Sequence, residues 1–193
     1  VGARPVAPPI PGMDKANIVE AAALLRRPEL LGGSREIVVL GGGAVGMETA
    51  YWLSYEKGCH VTVIDMLKNF MDGACTANRS FLIHYLEKKG VRLINCAAIK
   101  AFHGNAVLVR RNISRGVPDP CCTWQPVLPK NIDNPFSPPM GDECVAEEYH
   151  AQLFVNALGR RADAGQYLTG LAEHIAPEVY NIGDSYESGL IWH

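Results

Sequence analysis

Apolar residues along the chain fall into short runs whose length and spacing point to alternating strands and helices. Glu36 to Leu40 reads EIVVL, a brief β-branched run of the kind buried on both faces of a parallel sheet. Gly41 to Gly46 follows as a tight turn, and Ala44 to Lys57 is predicted as a helix with Gly58 at its C-terminal cap. His60 to Asp65 is the next strand. Thr76 to Lys89 is a second helix ended by Gly90, and Val91 to Asn95 is a third strand. The order strand, helix, strand, helix, strand implies a parallel sheet with right-handed crossovers.

The flanking pattern is less regular. Residues 1–12, VGARPVAPPIPG, carry too many prolines for a helix and read as an extended lead-in. Ile18, Ala21, Ala22 and Leu25 share one helical face, so a helix is expected from Asp14 to Arg27, closed by Pro28. Gly32-Gly33-Ser34 is a turn. Ile99 to Phe102 and Ala106 to Arg110 flank His103-Gly104-Asn105 and read as an antiparallel hairpin. Residues 116–143 are rich in Pro, Asn, Asp and Gly without an apolar period, and form a long insertion between strands. Tyr149 to Leu158 is expected to be one strand, ending at Gly159-Arg160-Arg161. Val179 to Ile182 is expected to be a last strand, ending at Gly183-Asp184.

Composition narrows the function classes. The apolar fraction is 48% and the charged fraction 20%, ordinary for a globular domain. A net charge of -2 gives no electrostatic footprint for nucleic acid or an anionic membrane. No apolar run approaches the length of a spanning helix. Val1 to Gly12 lacks the layout of a signal peptide, and a cytoplasmic location is expected. The six cysteines form no CxxC pair and no paired metal spacing, so plain reduced thiols are expected. The two Asn-x-Ser matches, at Asn78 and Asn112, are taken as chance. No metal site and no Ser-His-Asp constellation is found.

The stretch GGGAVGME carries the chemistry. It supplies Gly41-x-Gly43-x-x-Gly46 between an apolar strand and a helix. Gly41 permits the sharp turn, Gly43 lets backbone approach a pyrophosphate, and Gly46 lets the helix pack against the strands. Free N–H groups at the helix start, in the run Gly42, Gly43, Ala44 and Val45, stabilise phosphate charge. Asp65 ends the second strand about twenty residues on, where a carboxylate accepts from the adenosine ribose hydroxyls. That carboxylate favours NAD over NADP, whose 2′-phosphate would meet a like charge. Met66 and Lys68 adjoin it, and the charge on Lys68 works the other way. Glu48 either complements the helix dipole or contacts the nicotinamide amide or flavin edge. Gly159 either admits the nicotinamide ring or simply ends a strand, and Arg160 and Arg161 either pair with phosphate or are solvated.

Taken in order, GARPVAPPIPG, IVVLGGGAVGMETAYWL, VNALGRRAD and VYNIGDS resemble the C-terminal part of the NADH:flavin oxidoreductase family that includes 2,4-dienoyl-CoA reductase and trimethylamine dehydrogenase. They also resemble, more loosely, the pyridine nucleotide–disulfide reductase superfamily. The resemblance spans Gly2 to Asp184, apart from residues 116–143. It implies an α/β, Rossmann-like FAD/NAD(P)-binding fold, a parallel sheet with an antiparallel crossover meander. It also implies an FAD domain divided in sequence, with residues 1–33 leading out of it, 34–162 forming the NAD(P) domain, and 163–193 returning to it. Gly183-Asp184 then corresponds to the return, where the aspartate contacts FAD. The first half of that FAD domain, and the flavin barrel of longer relatives, would be partners outside this sequence. No redox CxxxxC occurs here.

The implied activity is hydride transfer between NAD(P)H and flavin, chemistry that belongs to the cofactors, so no side chain is named as catalytic. A standalone short-chain dehydrogenase would carry Tyr-x-x-x-Lys on a helix; Tyr51 is followed four residues on by Tyr55 instead. A non-catalytic nucleotide-binding module, sensing redox state or assembling with a partner, is the alternative.

Overall fold

A computed structural model describes residues 2–124, 132 and 134–188. In chain order the strands are β1 (Gly2–Pro5), β2 (Ile18–Glu20), β3 (Glu36–Leu40), β4 (His60–Ile64), β5 (Arg92–Ile94), β6 (Ala97–His103), β7 (Ala106–Asn112), β8 (Cys144–His150), β9 (Leu153–Asn156) and β10 (Arg160–Asp163). The α-helices are α1 (Ala21–Arg26), α2 (Ala44–Tyr55), α3 (Thr76–Lys88) and α4 (Gly165–Ala172). The chain divides into two compact units, Pro9–Ala157 and Val1–Pro8 with Leu158–His193.

The larger unit is built on a parallel sheet in the order β2-β9-β3-β4-β5. Strand alternation sorts its side chains into two layers. Ile37, Val39, Val61, Val63, Leu93, Leu153 and Val155 join Met47, Leu53, Ile83 and Leu86 in one buried cluster beneath the helices. Val38, Leu40, Ile64 and Phe154 are buried outside that cluster. Phe154 meets Phe102 of β6 edge-on at 5.2 Å, so the second face is covered by the antiparallel sheet β6-β7-β8. Both faces are thus dry, which is why EIVVL is continuously apolar. The fold is the expected α/β class with a parallel sheet.

The hairpin β6–β7 turns at Gly104-Asn105, with His103 opposite Ala106. Gly104 has φ +63°, which a two-residue hairpin turn requires. The insertion leaves from β7 and returns to β8. Its legs close on each other through Ile113 N–H to the Glu143 carbonyl (2.9 Å) and Gly141 N–H to Ser114 Oγ (3.0 Å). Residues 125–131 and 133 of the insertion lie outside the described residues.

Three expected elements differ. The helix expected from Asp14 to Arg27 is instead a 3-10 turn (Met13–Lys15), the strand β2 and the short helix α1. Ile18 and Val19 pair in parallel with Phe154 and Val155, and completing the sheet edge outweighs a helical period carried by only four residues. The Glu20 carboxylate then starts α1 by accepting from Ala23 N–H at 2.8 Å. The single strand expected from Tyr149 to Leu158 is two. Ala151-Gln152 breaks it: Ala151 N–H goes to the Asn105 carbonyl and Gln152 N–H to the Glu36 carbonyl, moving the chain from the meander to the parallel sheet. Val179 to Ile182 forms no strand, since none of the described residues pairs with it; Tyr180 and Ile182 are 77% and 79% exposed.

The smaller unit pairs β1 antiparallel with β10, so Arg160 and Arg161 begin a strand rather than end one. Arg4 Nε donates to Asp163 at 2.6 Å. Gly165 N–H and then Arg4 hold the Asp163 carboxyl below its ordinary range. No helix among the described residues is long and apolar enough to cross a membrane.

Replacing Glu20 with Ala removes the cap of α1 and is expected to cost about 0.5–2 kcal/mol in urea denaturation. An unchanged midpoint would show that the α1 start does not depend on that carboxylate.

Candidate dinucleotide site

The glycine turn sits at the carboxyl end of the parallel strands, where open α/β sheets bind ligands. Gly41 leaves β3 with φ +104°, a conformation L side chains rarely adopt, and its N–H bonds the Ile64 carbonyl at 2.8 Å. Gly46 packs α2 onto this exit. A Cβ there would lie 1.9 Å from the Gly41 carbonyl oxygen and 3.3 Å from the Ala157 Cβ. Gly42 is closed off in a different way, since its Cβ would fall 2.1 Å from the Phe70 ring.

Gly43 is the opposite case. It is exposed, takes ordinary extended geometry as the N-cap of α2 (φ −70°, ψ −178°), and a Cβ there would meet nothing within 4 Å. No side chain caps the helix. The first N–H groups of α2, on Ala44 and Val45, have no intrahelical partner and form the positive end of the helix dipole. The turn therefore has two glycines pressed against protein and one open to the outside, beside unused donors. That arrangement fits a pyrophosphate.

Asp65 follows β4 and is half-buried. Its Oδ2 accepts from Gly42 N–H at 2.5 Å and its Oδ1 from Leu67 N–H at 2.7 Å. The carboxylate thus lies against the glycine turn, with lone pairs left for a ribose diol. Met66 is 71% exposed beside it, and Lys68 is also exposed. Glu48 stands exposed on α2, one turn into the helix.

The remaining candidates belong to the smaller unit. Gly159 has φ +100°, and its carbonyl accepts from Val6 N–H at 3.0 Å. Arg160 donates from its guanidinium to the Ala3 carbonyl, and its own carbonyl accepts from Ser188 Oγ at 3.1 Å. Gly183 (φ +66°) and Asp184 lie exposed in a short 3-10 helix.

Three residues of the larger unit escaped the sequence reading. Phe70, fully buried, closes the site behind Gly42. Asn95, fully buried at the end of β5, donates through Nδ2 to the Lys68 carbonyl (2.8 Å) and the Pro118 carbonyl (2.9 Å). Arg79, 4% exposed in the interior of α3, donates from Nε to the Phe70 carbonyl at 2.9 Å and from its two terminal nitrogens to Thr123 and Cys122. Burial lowers its pKa from the ordinary arginine value. The one available signal was Gly42, the middle of three consecutive glycines, at an x position where the motif does not need one.

All six cysteines are unpaired thiols. Burial pushes the Cys59 and Cys96 thiols up, which keeps both protonated at neutral pH.

Two glycine variants separate the roles. Gly43→Val is expected to leave the unfolding midpoint unchanged and to abolish dinucleotide binding, because the new side chain fills only the space a phosphate would use. Gly46→Ala is expected to destabilise by about 1–3 kcal/mol, because α2 must lift off β3. Retained binding in the first, or wild-type stability in the second, would contradict this geometry.

The sequence matches the family described as pyridine nucleotide-disulphide oxidoreductase over residues 1–132. An NADH oxidase of Thermoanaerobacter brockii is 35% identical over 192 residues, 98% of this chain and 25% of that protein. A bilirubin reductase of Mediterraneibacter gnavus is 36% identical over 106 residues, 55% of this chain and 16% of that protein. The chain thus spans a quarter or less of these two curated relatives. Among solved structures, a 2-naphthoyl-CoA reductase superposes with TM-score 0.68 at 20% identity, covering 99% of this chain and 24% of that one. A water-forming NADH oxidase from Lactobacillus brevis, bound to NADH, gives TM-score 0.54 at 19% identity, covering 88% of this chain and 31% of that one. These structures share the fold, and the match over residues 1–132 shows that the chain belongs to the pyridine nucleotide-disulphide oxidoreductase family.

Proposed function

We propose that this chain is the nicotinamide-nucleotide-binding part of an FAD-dependent NAD(P)H oxidoreductase resembling 2,4-dienoyl-CoA reductase. The observation that carries this reading is the turn itself. Gly43 is open where Gly42 and Gly46 are closed, and Asp65 is held against the same turn. The pyrophosphate binds the start of α2, and Asp65 accepts from the adenosine ribose hydroxyls. Met66 and Lys68 flank the adenosine, and Glu48 lies toward the nicotinamide end. NAD(H) is preferred over NADP(H), because a 2′-phosphate at Asp65 would meet a like charge.

FAD is the second cofactor of the full enzyme and supplies the hydride acceptor. This chain contributes Gly183 and Asp184 to its site, while Gly159 admits the nicotinamide ring and Arg160 pairs with phosphate. The smaller unit supports that reading. Leu168, Ile175, Tyr180, Ile182 and Tyr186 are between 59% and 79% exposed on it. So much bare apolar surface suits one half of a divided domain whose other half covers it. The division proposed in sequence runs 1–33, 34–162 and 163–193, while the compact units divide at Pro8 and Leu158. A cytoplasmic location and an organic substrate read by another domain complete this reading.

A calorimetric titration with NADH, NADPH and FAD in parallel is expected to show NADH bound most tightly and FAD little. Asp65→Ala is expected to weaken NADH by about tenfold, the loss of one or two hydrogen bonds to a charged group, and NADPH much less. Equal losses would remove Asp65 from ribose recognition. Preferred binding of FAD would reassign the glycine turn. NADH binding without turnover when the flavin half is restored would favour a non-catalytic module.

A further inference from the structure

The segment after Asp65 has no regular structure, yet the carbonyls of Asp65, Leu67, Lys68 and Phe70 are all engaged. The Asp65 carbonyl accepts from Ala97 N–H (2.9 Å) and the Leu67 carbonyl from Cys96 N–H (3.0 Å). The Lys68 carbonyl accepts from Asn95 and the Phe70 carbonyl from Arg79. Met71 N–H closes the segment onto the Gly42 carbonyl at 2.8 Å. Two of these five ties come from buried side chains, and both side chains also donate to the insertion. Asn95 reaches Pro118, and Arg79 reaches Cys122 and Thr123. Ser80 Oγ adds a further bond to the Thr123 carbonyl at 2.9 Å.

We propose that Asn95 and Arg79 are positioning residues that clasp the Pro118–Thr123 leg of the insertion to the segment Asp65–Met71, so that the insertion sets the affinity of the site for the adenosine half of the dinucleotide. This rests on the nucleotide reading above. The physical ground is the cost of a buried guanidinium. Arg79 is 4% exposed, and its three described side-chain hydrogen bonds all go to neutral carbonyls. Such a cation keeps its place only while those bonds hold. Two of the three acceptors lie on the insertion. If that leg moves, Arg79 loses most of its partners and releases the Phe70 carbonyl. Phe70 then loosens against Gly42, and Asp65 loses the donor geometry of Gly42 and Leu67. Asn95 makes the same connection at the other end of the segment, through Lys68. Neither residue touches the nucleotide, and both act through the placement of Asp65.

The test uses the whole chain and two readouts. Amide hydrogen exchange at Gly42 and Leu67, the two donors to the Asp65 carboxylate, reports the clasp without any ligand. Calorimetry with NADH reports its consequence. Arg79→Met is expected to speed exchange at both amides and to weaken NADH by about tenfold, with partial recovery in Arg79→Lys, which keeps charge and donors but not the fork. In an Asp65→Ala background the same substitution is expected to change NADH affinity little, because the route through Asp65 is already cut. Asn95→Ala, a milder change, gives the same pattern should Arg79→Met not fold. Unchanged exchange at Gly42 and Leu67, or an equal loss of affinity with and without Asp65, would overturn the proposal. Faster exchange in Arg79→Met, with no NADH bound by the wild type, would uphold the clasp and sink the nucleotide reading instead.

Discussion

The site depends on one close approach of backbone to backbone. Gly46 at the start of α2 passes so near the Gly41 carbonyl that any side chain there would collide with it. That contact fixes the angle at which the helix leaves the sheet, and so where its uncapped N-terminus points. It follows from the absence of two side chains and from a positive φ at Gly41, features that only glycine supplies without strain. Helix packing, the candidate anion site and the turn are therefore one constraint.

Around that constraint the protein is layered by burial. The parallel sheet is dry on both faces, with helices on one side and the meander β6-β7-β8 on the other. A sheet enclosed in this way holds its carboxyl edge rigid, which is what a ligand site at that edge needs. The irregular segment beyond β4 gains comparable order from hydrogen bonds instead of burial alone. Its carbonyls are taken one by one by neighbouring amides and by two buried polar side chains.

The two units differ in how far they satisfy themselves. The larger unit has a continuous apolar core. The smaller one is a two-stranded ribbon, a short helix and a 3-10 turn, with most of its large apolar side chains exposed. Two-stranded ribbons are marginal in water without a further layer. This contrast, more than any single residue, is what the proposed divided domain accounts for.

What the sequence determined by itself was whatever local chemistry dictates. The run EIVVL, the spacing of Gly41, Gly43 and Gly46, and the caps at Gly58 and Gly90 made β3, α2, β4, α3 and β5 legible, because each is set by side-chain size, backbone freedom or a short apolar period. Asp65 was legible as a candidate from its distance to the turn. Only tertiary structure decided the rest. Ile18–Glu20 became a strand because β9 offered a free edge, and Tyr149–Leu158 split because two sheets competed for it. Val179–Ile182 stayed irregular for want of a partner. Phe70, Asn95 and Arg79 gain their roles from contacts with residues such as Gly42 and Cys122, from 9 to 44 positions away, and no local period encodes such contacts.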